Sequence, residues 1–477
     1  MASLIFKRKE KIILQNHNIK RLIKEKEEDI KNDISELVKI PSIRDLNTKS
    51  YNAPFGLDIR NAFDKFIEFG NRDNFKVEDF DGYAIHLECG EGSEIIGILG
   101  HLDVVPIFDK EEWDTDPFQL VERSGYIYGR GVNDDKGPLV AALYALKIIK
   151  ELDIKFKRRV RLIIGGAEET TWECMEHYFS KNPQPKYGFS PDGDFPIVNG
   201  EKGIFYYSFK SFKNTDLYGI HNLIDIKTNN KQGFVCDYCK VSFLTNNALE
   251  LREYLKEADY IRVKEREVTA IYSGKNSLSR NPHKGINALF KFGRDLNRIK
   301  NLNNKGKSLA KLLDEYFIDS IYGEKVGLQK EDSEMGSTTM CLMDIYYSDT
   351  DFEIKFDFRY PKNIKKEFIK RRFEEIATIN NLKLSTDKEL DFIYVDENSE
   401  LIKSLKKAYE NVIGEEPSLF SKGAASYARV LNEGVAFGPT MPGDTPNSHK
   451  SNENIKLETL YKAIEIYCQS IYLLACK

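Results

Sequence analysis

Ile95-Ile96-Gly97-Ile98-Leu99-Gly100-His101-Leu102-Asp103 opens as an apolar run and closes on an imidazole and a carboxylate two residues apart. A run without polar alternation reads as a strand buried on both faces, the pattern of inner strands in an α/β sheet. The neighbourhood has the matching rhythm. Residues 83–89 alternate as a half-exposed strand does. Leu139, Ala142, Leu143, Leu146 and Ile149 share one face of a helix over 138–150, and residues 160–164 resume a buried strand. Further upstream, Ile19, Leu22, Ile23, Ile30, Ile34 and Leu37 line one charged amphipathic helix that stops before Pro41.

A length of 477 residues exceeds one small core, so two domains, or one with a large insertion, are expected. From about Gly203 to about Glu389 the sequence turns to strands and helices rich in Lys and Asn and nearly empty of candidate ligands. This stretch reads as an inserted lid domain. The expected division is thus a first catalytic segment at 1–202, a lid at 203–389 and a second catalytic segment at 390–477.

A net charge of −4 lacks the basic excess that nucleic acid selects, so no nucleic-acid partner is expected. No apolar run reaches membrane-spanning length, and Leu4-Ile5-Phe6 is too short for a signal-peptide core. A cytoplasmic protein with no membrane partner follows. The seven scattered cysteines fit reduced thiols. Cys236 and Cys239, with no second pair nearby, read as strand residues and not as a zinc knuckle.

Acids and imidazoles collect past the strand ends and in tight turns: His101 and Asp103, Asp134 and Asp135, Glu168 and Glu169, Asp192, and His449. Open α/β sheets bind ligands at the carboxyl ends of their strands. Each residue also has a plainer reading. His101 alone could be a hydrogen-bonded core histidine, and Glu168-Glu169 alone a solvated turn. One acid of Gly129-Arg130-Gly131-Val132-Asn133-Asp134-Asp135-Lys136-Gly137 could be a helix cap, although capping leaves the second acid and the three glycines unexplained. Together they offer hard carboxylate oxygens and neutral imidazoles for two close divalent ions, with one carboxylate to bridge them.

These stretches resemble the di-metal exopeptidases and deacylases that include carboxypeptidase G, aminoacylase and succinyl-diaminopimelate desuccinylase. The likeness rests on Gly100-His101-Leu102-Asp103-Val104-Val105-Pro106, the 129–137 turn, Ala167-Glu168-Glu169-Thr170, Ser190-Pro191-Asp192-Gly193-Asp194-Phe195-Pro196, Asn199-Gly200-Glu201-Lys202-Gly203, and Pro442-Gly443-Asp444 with His449. The Asp192 stretch and Phe358-Arg359-Tyr360-Pro361 are most similar to the dipeptidase V (carnosinase-like, Xaa-His dipeptidase) branch.

The resemblance implies an α/β fold, with a mixed-sheet, phosphorylase/hydrolase-like catalytic domain flanked by helices and an inserted α+β lid. It makes Asp134 the bridging ligand, puts His101 and Asp192 on one metal and Glu169 and His449 on the other, and makes Glu168 the general base. Asp103 would orient His101, and the Asp134–Asp135 peptide would be cis. Zn2+ is the favoured ion, with Mn2+ or Co2+ as alternatives. Arg359 would hold a substrate carboxylate, with Gly423 lining the pocket, and a long lid of this kind goes with a monomer.

Two departures stand out. In Gly274-Lys275-Asn276-Ser277-Leu278, before Pro282 and Gly285-Ile286-Asn287-Ala288, Leu278 occupies the place of a family histidine that donates to the developing oxyanion. Loss of one such donor costs on the order of 10²–10³ in rate. His283 could replace it only if the loop takes another path. In Lys422-Gly423-Ala424-Ala425-Ser426-Tyr427-Ala428-Arg429, alanines stand where the family has glycines. The function expected is hydrolysis of free dipeptides. The alternatives are a metal-dependent binder with weakened or lost catalysis, and an N-acyl amino acid deacylase.

Overall fold

The apolar run 95–99 forms the strand Ile95–His101, buried along its whole length. In this computed structural model, which describes residues 16–108, 110–213, 219–229 and 231–477, that strand lies at a reversal of strand order. The next long strand, Arg159–Gly165, pairs with it in parallel on one edge, with His101 opposite Gly165. The following strand, Tyr187–Ser190, pairs in parallel on the other edge, with Ile96 opposite Tyr187. The side chains that follow all three strands therefore emerge at one end of the sheet, at the switch point where open α/β sheets form a crevice.

Outward from that centre the sheet becomes mixed. Ala84–Cys89 pairs antiparallel with Arg159–Gly165 and with Lys76–Phe80, whereas Gly434–Ala436 runs parallel to Tyr187–Ser190. The helix Lys136–Glu151 packs against Leu457–Ile471 and Glu27–Val38. Its buried positions are not confined to one stripe: Leu139, Val140, Ala141, Ala142, Leu143 and Tyr144 are all inaccessible, as in a helix covered on every side. The α/β class and the mixed sheet agree with the sequence expectation.

Two local expectations need correction. Residues 83–89 alternate in sequence, yet Ala84–Cys89 is buried on both faces. Its polar members have internal partners that replace water: His86 Nδ1 lies 2.8 Å from the Tyr178 hydroxyl, and Glu88 pairs with Arg161. The N-terminal helix is two helices, Asn16–Glu25 and Glu27–Val38, with the same buried stripe. They divide at Lys26, whose N–H is shared by the carbonyls of Leu22 and Ile23, each at 3.1 Å.

By its contacts the chain forms two compact units. The first extends to Gly200 and includes Tyr394–Phe420 and Ala425–Lys477; the second is Glu201–Ile393 with Ser421–Ala424. Sequence pattern gave no sign that residues 421–424 join the second unit. Within that unit an antiparallel sheet runs Tyr260–Lys264, Glu267–Ser273, Tyr238–Thr245, His221–Thr228, Thr339–Tyr347, Phe352–Tyr360, Gly203–Ser211, Leu382–Leu390. Phe205, Phe209, Phe292, Phe356 and Phe373 belong to its core, to which the helices Ala288–Arg298 and Lys366–Ile379 contribute.

Cys239 lies in a strand of this core, and the buried Cys236 thiol donates to the Tyr238 carbonyl at 3.2 Å. All seven cysteines are free. The Leu4-Ile5-Phe6 patch lies outside the described residues. No helix among the described residues is long and apolar enough to cross a membrane.

Gly100 shows how closely strand and turn approach. A β-carbon there would strike the Asp135 carboxylate and lie 2.6 Å from Leu139 Cδ2. Gly100→Ala is expected to lower the chemical-unfolding midpoint by the equivalent of about 1–3 kcal/mol. An unchanged midpoint would show that the turn can retreat.

Candidate functional site

His101 ends the central strand, and its ring is fully buried. Its Nδ1 lies 2.8 Å from the main-chain carbonyl of Asp103. A carbonyl only accepts, so Nδ1 carries the hydrogen and Nε2 points onward. Nε2 meets Asp134 Oδ1 at 3.1 Å and Asp192 Oδ2 at 3.7 Å.

The hydrogen-bonded partner of His101 is thus the backbone of Asp103; the Asp103 carboxylate is farther off, at 3.5 Å from Nδ1. That carboxylate has another task. Its oxygens accept the N–H groups of Glu168 at 3.1 Å and Glu169 at 3.0 Å, fixing the turn that carries both acids. The Glu168 carbonyl accepts the Trp172 indole N–H at 2.6 Å. Among the described residues its carboxylate accepts no hydrogen bond.

Asp134 stands between two groups. Its Oδ2 is 2.9 Å from His449 Nε2, which is also 2.9 Å from Glu169 Oε1. His449 has a φ of 65°, in the left-handed region uncommon for a residue with a side chain. The Asp134–Asp135 peptide is cis, as the resemblance implies. Asp135 opens the helix Lys136–Glu151 without capping it; its side chain turns back to accept the His101 N–H at 3.1 Å.

These contacts form two potential cation sites that share Asp134. His101, Asp134 and Asp192 make one and Asp134, Glu169 and His449 the other, with the ligand atoms of each lying within 4.8 Å of one another. The electrostatics fit that reading. Burial works against a charged His101 ring, but Asp103, Asp134 and Asp192 hold its pKa well above the imidazole range. His449 is half exposed, and although partial desolvation opposes its charge, it is likewise raised by Glu169 and Asp134. Burial, reinforced by neighbouring carboxylates, drives Glu168 well above the usual carboxylate value and Glu169 to about 7. Burial also favours protonation of Asp134, yet His449 and His101 keep it ionised to very low pH. Raised acids and raised imidazoles together describe a cluster in need of positive charge, which divalent ions supply.

The structure thus brings together His101, Asp103, Asp134, Glu168, Glu169, Asp192 and His449, all in the first unit. Arg359 and Gly423 meet in the second, where the Gly423 carbonyl accepts from Arg359 Nη1. Arg359, expected to hold a substrate carboxylate, is engaged by several neighbours of its own unit. Its Nε donates to both Asp357 oxygens at 3.0 and 2.9 Å, and its Nη2 donates to Asp357 at 2.8 Å and to the Tyr206 hydroxyl at 3.1 Å. Asp357 precedes Arg359 by two on the same strand, so both point to one face. That spacing was available in the sequence. His283 sits exposed on a short turn and lines a cavity of about 350 Å³ with Val235, Ile286 and Cys341. Neither Arg359 nor Gly423 lines that cavity.

Sequence reasoning missed Glu453. Its inaccessible carboxylate receives Arg130 Nη1 at 2.6 Å and the N–H groups of Gly131, Asn133 and Asp134 at 3.1, 3.1 and 3.2 Å. It clamps the turn that presents Asp134. Nothing in its own sequence neighbourhood marks it, because every partner lies more than 300 residues away.

The model of peptidase family M20/M25/M40 matches residues 97–472, spanning every proposed ligand. The chain belongs to this family. A Bacillus subtilis (strain 168) protein described as "Putative dipeptidase YtjP" is 34% identical over 461 residues, covering 94% of this chain and 98% of its own. A Staphylococcus aureus (strain COL) protein described as "Putative dipeptidase SACOL1801" is 32% identical over 467 residues, covering 95% and 98%. Among solved structures, human carnosine dipeptidase 1 shares the fold with a TM-score of 0.60 at 16% identity, covering 96% of this chain and 98% of its own. The di-peptidase Dug1p from Saccharomyces cerevisiae gives 0.59 at 15%, with the same coverage. The resemblance read from the motifs is therefore correct, and this M20/M25/M40 member is a hydrolase of the metallopeptidase class.

Glu453→Ala would leave Arg130 buried without its partner. We expect a loss of about 3–5 kcal/mol in unfolding free energy and about a 10–100-fold loss of divalent-ion affinity. Calorimetric melting and metal titration read the two effects. Unchanged ion affinity would show that the clamp does not position Asp134.

Proposed function

We propose that the chain is a metal-dependent dipeptidase that hydrolyses the peptide bond of free dipeptides. In this reading segments 1–202 and 390–477, less the residues that join the second unit, are the catalytic domain, and 203–389 with residues 421–424 its lid. The observation that carries it is the Asp134 carboxylate, whose two oxygens face two imidazoles at 3.1 and 2.9 Å, with the unbonded Glu168 carboxylate among its charged neighbours. The relatives described as dipeptidases support the substrate class.

His101, Asp134 and Asp192 would hold one divalent ion and Asp134, Glu169 and His449 the other, with Zn2+ favoured over Mn2+ or Co2+. The bound ions would supply Lewis acidity that brings water deprotonation near neutral pH. Glu168 takes the proton of the attacking water and delivers it to the departing amine. Asp103, through the amides of Glu168 and Glu169, keeps the base and its neighbour in register. Among the described residues Arg359 has one N–H of Nη1 uncommitted, so it offers the substrate a single hydrogen bond and chiefly fixes the wall around Gly423. We further propose that the enzyme works as a cytoplasmic monomer.

One observation favours a slower enzyme. Leu278, which pairs with Phe234 through an isolated bridge, has no group to donate to an oxyanion. The test is hydrolysis of a panel of dipeptides and N-acetyl amino acids by the Zn2+-, Mn2+- and Co2+-loaded protein. We expect dipeptide turnover that chelator abolishes and added ion restores, with a fall of about 10²–10⁴-fold in kcat for Glu168→Ala. Turnover confined to N-acetyl amino acids would make it a deacylase. Activity that appears only in Leu278→His would mark a degraded catalyst.

A further inference from the structure

We infer that Arg280, on the loop that follows Leu278, binds a carboxylate of the substrate and so decides which peptides are accepted. This rests on the dipeptidase reading but concerns a residue to which that reading gives no role.

The geometry lies wholly within the second unit. Gly423 sits between the stems of two arginines: a β-carbon built on it would lie 3.1 Å from Arg280 Cβ and 3.6 Å from both Arg280 Cδ and Arg359 Cδ. The two guanidinium groups differ sharply in their partners. Arg359 is held by Asp357, Tyr206 and the Gly423 carbonyl. Arg280 is partly buried, yet among the described residues it has no hydrogen bond or ion pair.

The loop fixes Arg280 in place. The Ser279 N–H donates to the Gly233 carbonyl and the Asn281 N–H to that of Leu278, each at 2.8 Å. The Ser279 hydroxyl donates to Asp357 Oδ2 at 2.6 Å. Asp357 acts on Arg280 through its charge but makes its hydrogen bonds to Ser279 and Arg359. The other groups that act on Arg280 electrostatically are the Arg359 cation and the Tyr206 phenol, and the Arg359 charge also acts on Lys202. Burial, and then the Arg359 charge, lower the pKa of Arg280.

Arg280 thus shares Asp357 with the Arg359 cation, whose hydrogen bonds that carboxylate already accepts, and among the described residues it has no hydrogen-bonded anion of its own. Such a group is costly until an anion arrives, and a guanidinium offers a carboxylate two parallel hydrogen bonds. A peptide can supply that carboxylate from its C-terminus or from an acidic side chain.

The experiment measures calorimetric binding to the full-length, metal-loaded Glu168→Ala protein, in which turnover is suppressed, with and without Arg280→Met or Arg280→Lys. The probes are alanyl-leucine, its C-terminal amide, and alanyl-glutamate amide. We expect a carboxylate-bearing probe to bind at least about 10-fold more tightly than alanyl-leucine amide. Arg280→Met should remove that preference through a loss of about 10–100-fold, leaving the amide unaffected, and Arg280→Lys should retain part of it. The favoured probe identifies the source of the carboxylate. No preference in the parent protein, or a preference that survives Arg280→Met in a protein with unchanged circular dichroism, overturns the inference. If Arg280→Met does not fold, full retention of the preference in Arg280→Lys does so. Wild-type hydrolysis is scored separately, so an Arg280-dependent preference without turnover would remove the dipeptidase reading and leave this site standing.

Discussion

The Asp134 carboxylate, held between two imidazoles, is the contact around which the first unit is arranged. A buried acid facing two buried or half-buried histidines is stable only with a fixed approach to each, because its neighbours Glu168, Glu169 and Asp192 are acids as well. The sheet sets one approach: His101 ends the central strand and donates from Nδ1 to a carbonyl, which leaves Nε2 aimed at Asp134. The Glu453 clamp sets the turn that carries Asp134 itself. Even the missing side chain of Gly100 belongs to this arrangement, since Asp135 needs that space to reach the His101 N–H.

The second unit applies the same logic to arginine. Asp357 engages Arg359 through a two-residue spacing along one strand, which fixes the guanidinium against Tyr206 and the Gly423 carbonyl. An arginine so engaged is a rigid part of a wall. Its neighbour across Gly423, Arg280, has no such partner among the described residues, which is why the proposed carboxylate contact falls on a residue outside the motif.

Much of this was legible in the sequence because it is local. An apolar run followed by His-x-Asp, paired acids after a second buried strand and an acidic turn rich in glycine each announce a strand end or turn through spacing alone. What stayed hidden is what depends on distant partners. Residues 83–89 alternate as a half-exposed strand would, yet they are buried, because Arg161 and Tyr178 satisfy Glu88 and His86 from elsewhere in the fold. Glu453 is silent for the same reason, its partners lying in the 130–134 turn. The return of residues 421–424 to the second unit leaves no mark in composition at all.

The central claim is that one carboxylate serves two cation sites, and metal stoichiometry tests it most directly. Elemental analysis of the protein equilibrated with Zn2+ should find two ions per chain in the wild type and one or fewer in Asp134→Ala, with both proteins folded by circular dichroism. Two ions retained by Asp134→Ala, or fewer than one bound by the wild type, would contradict the account.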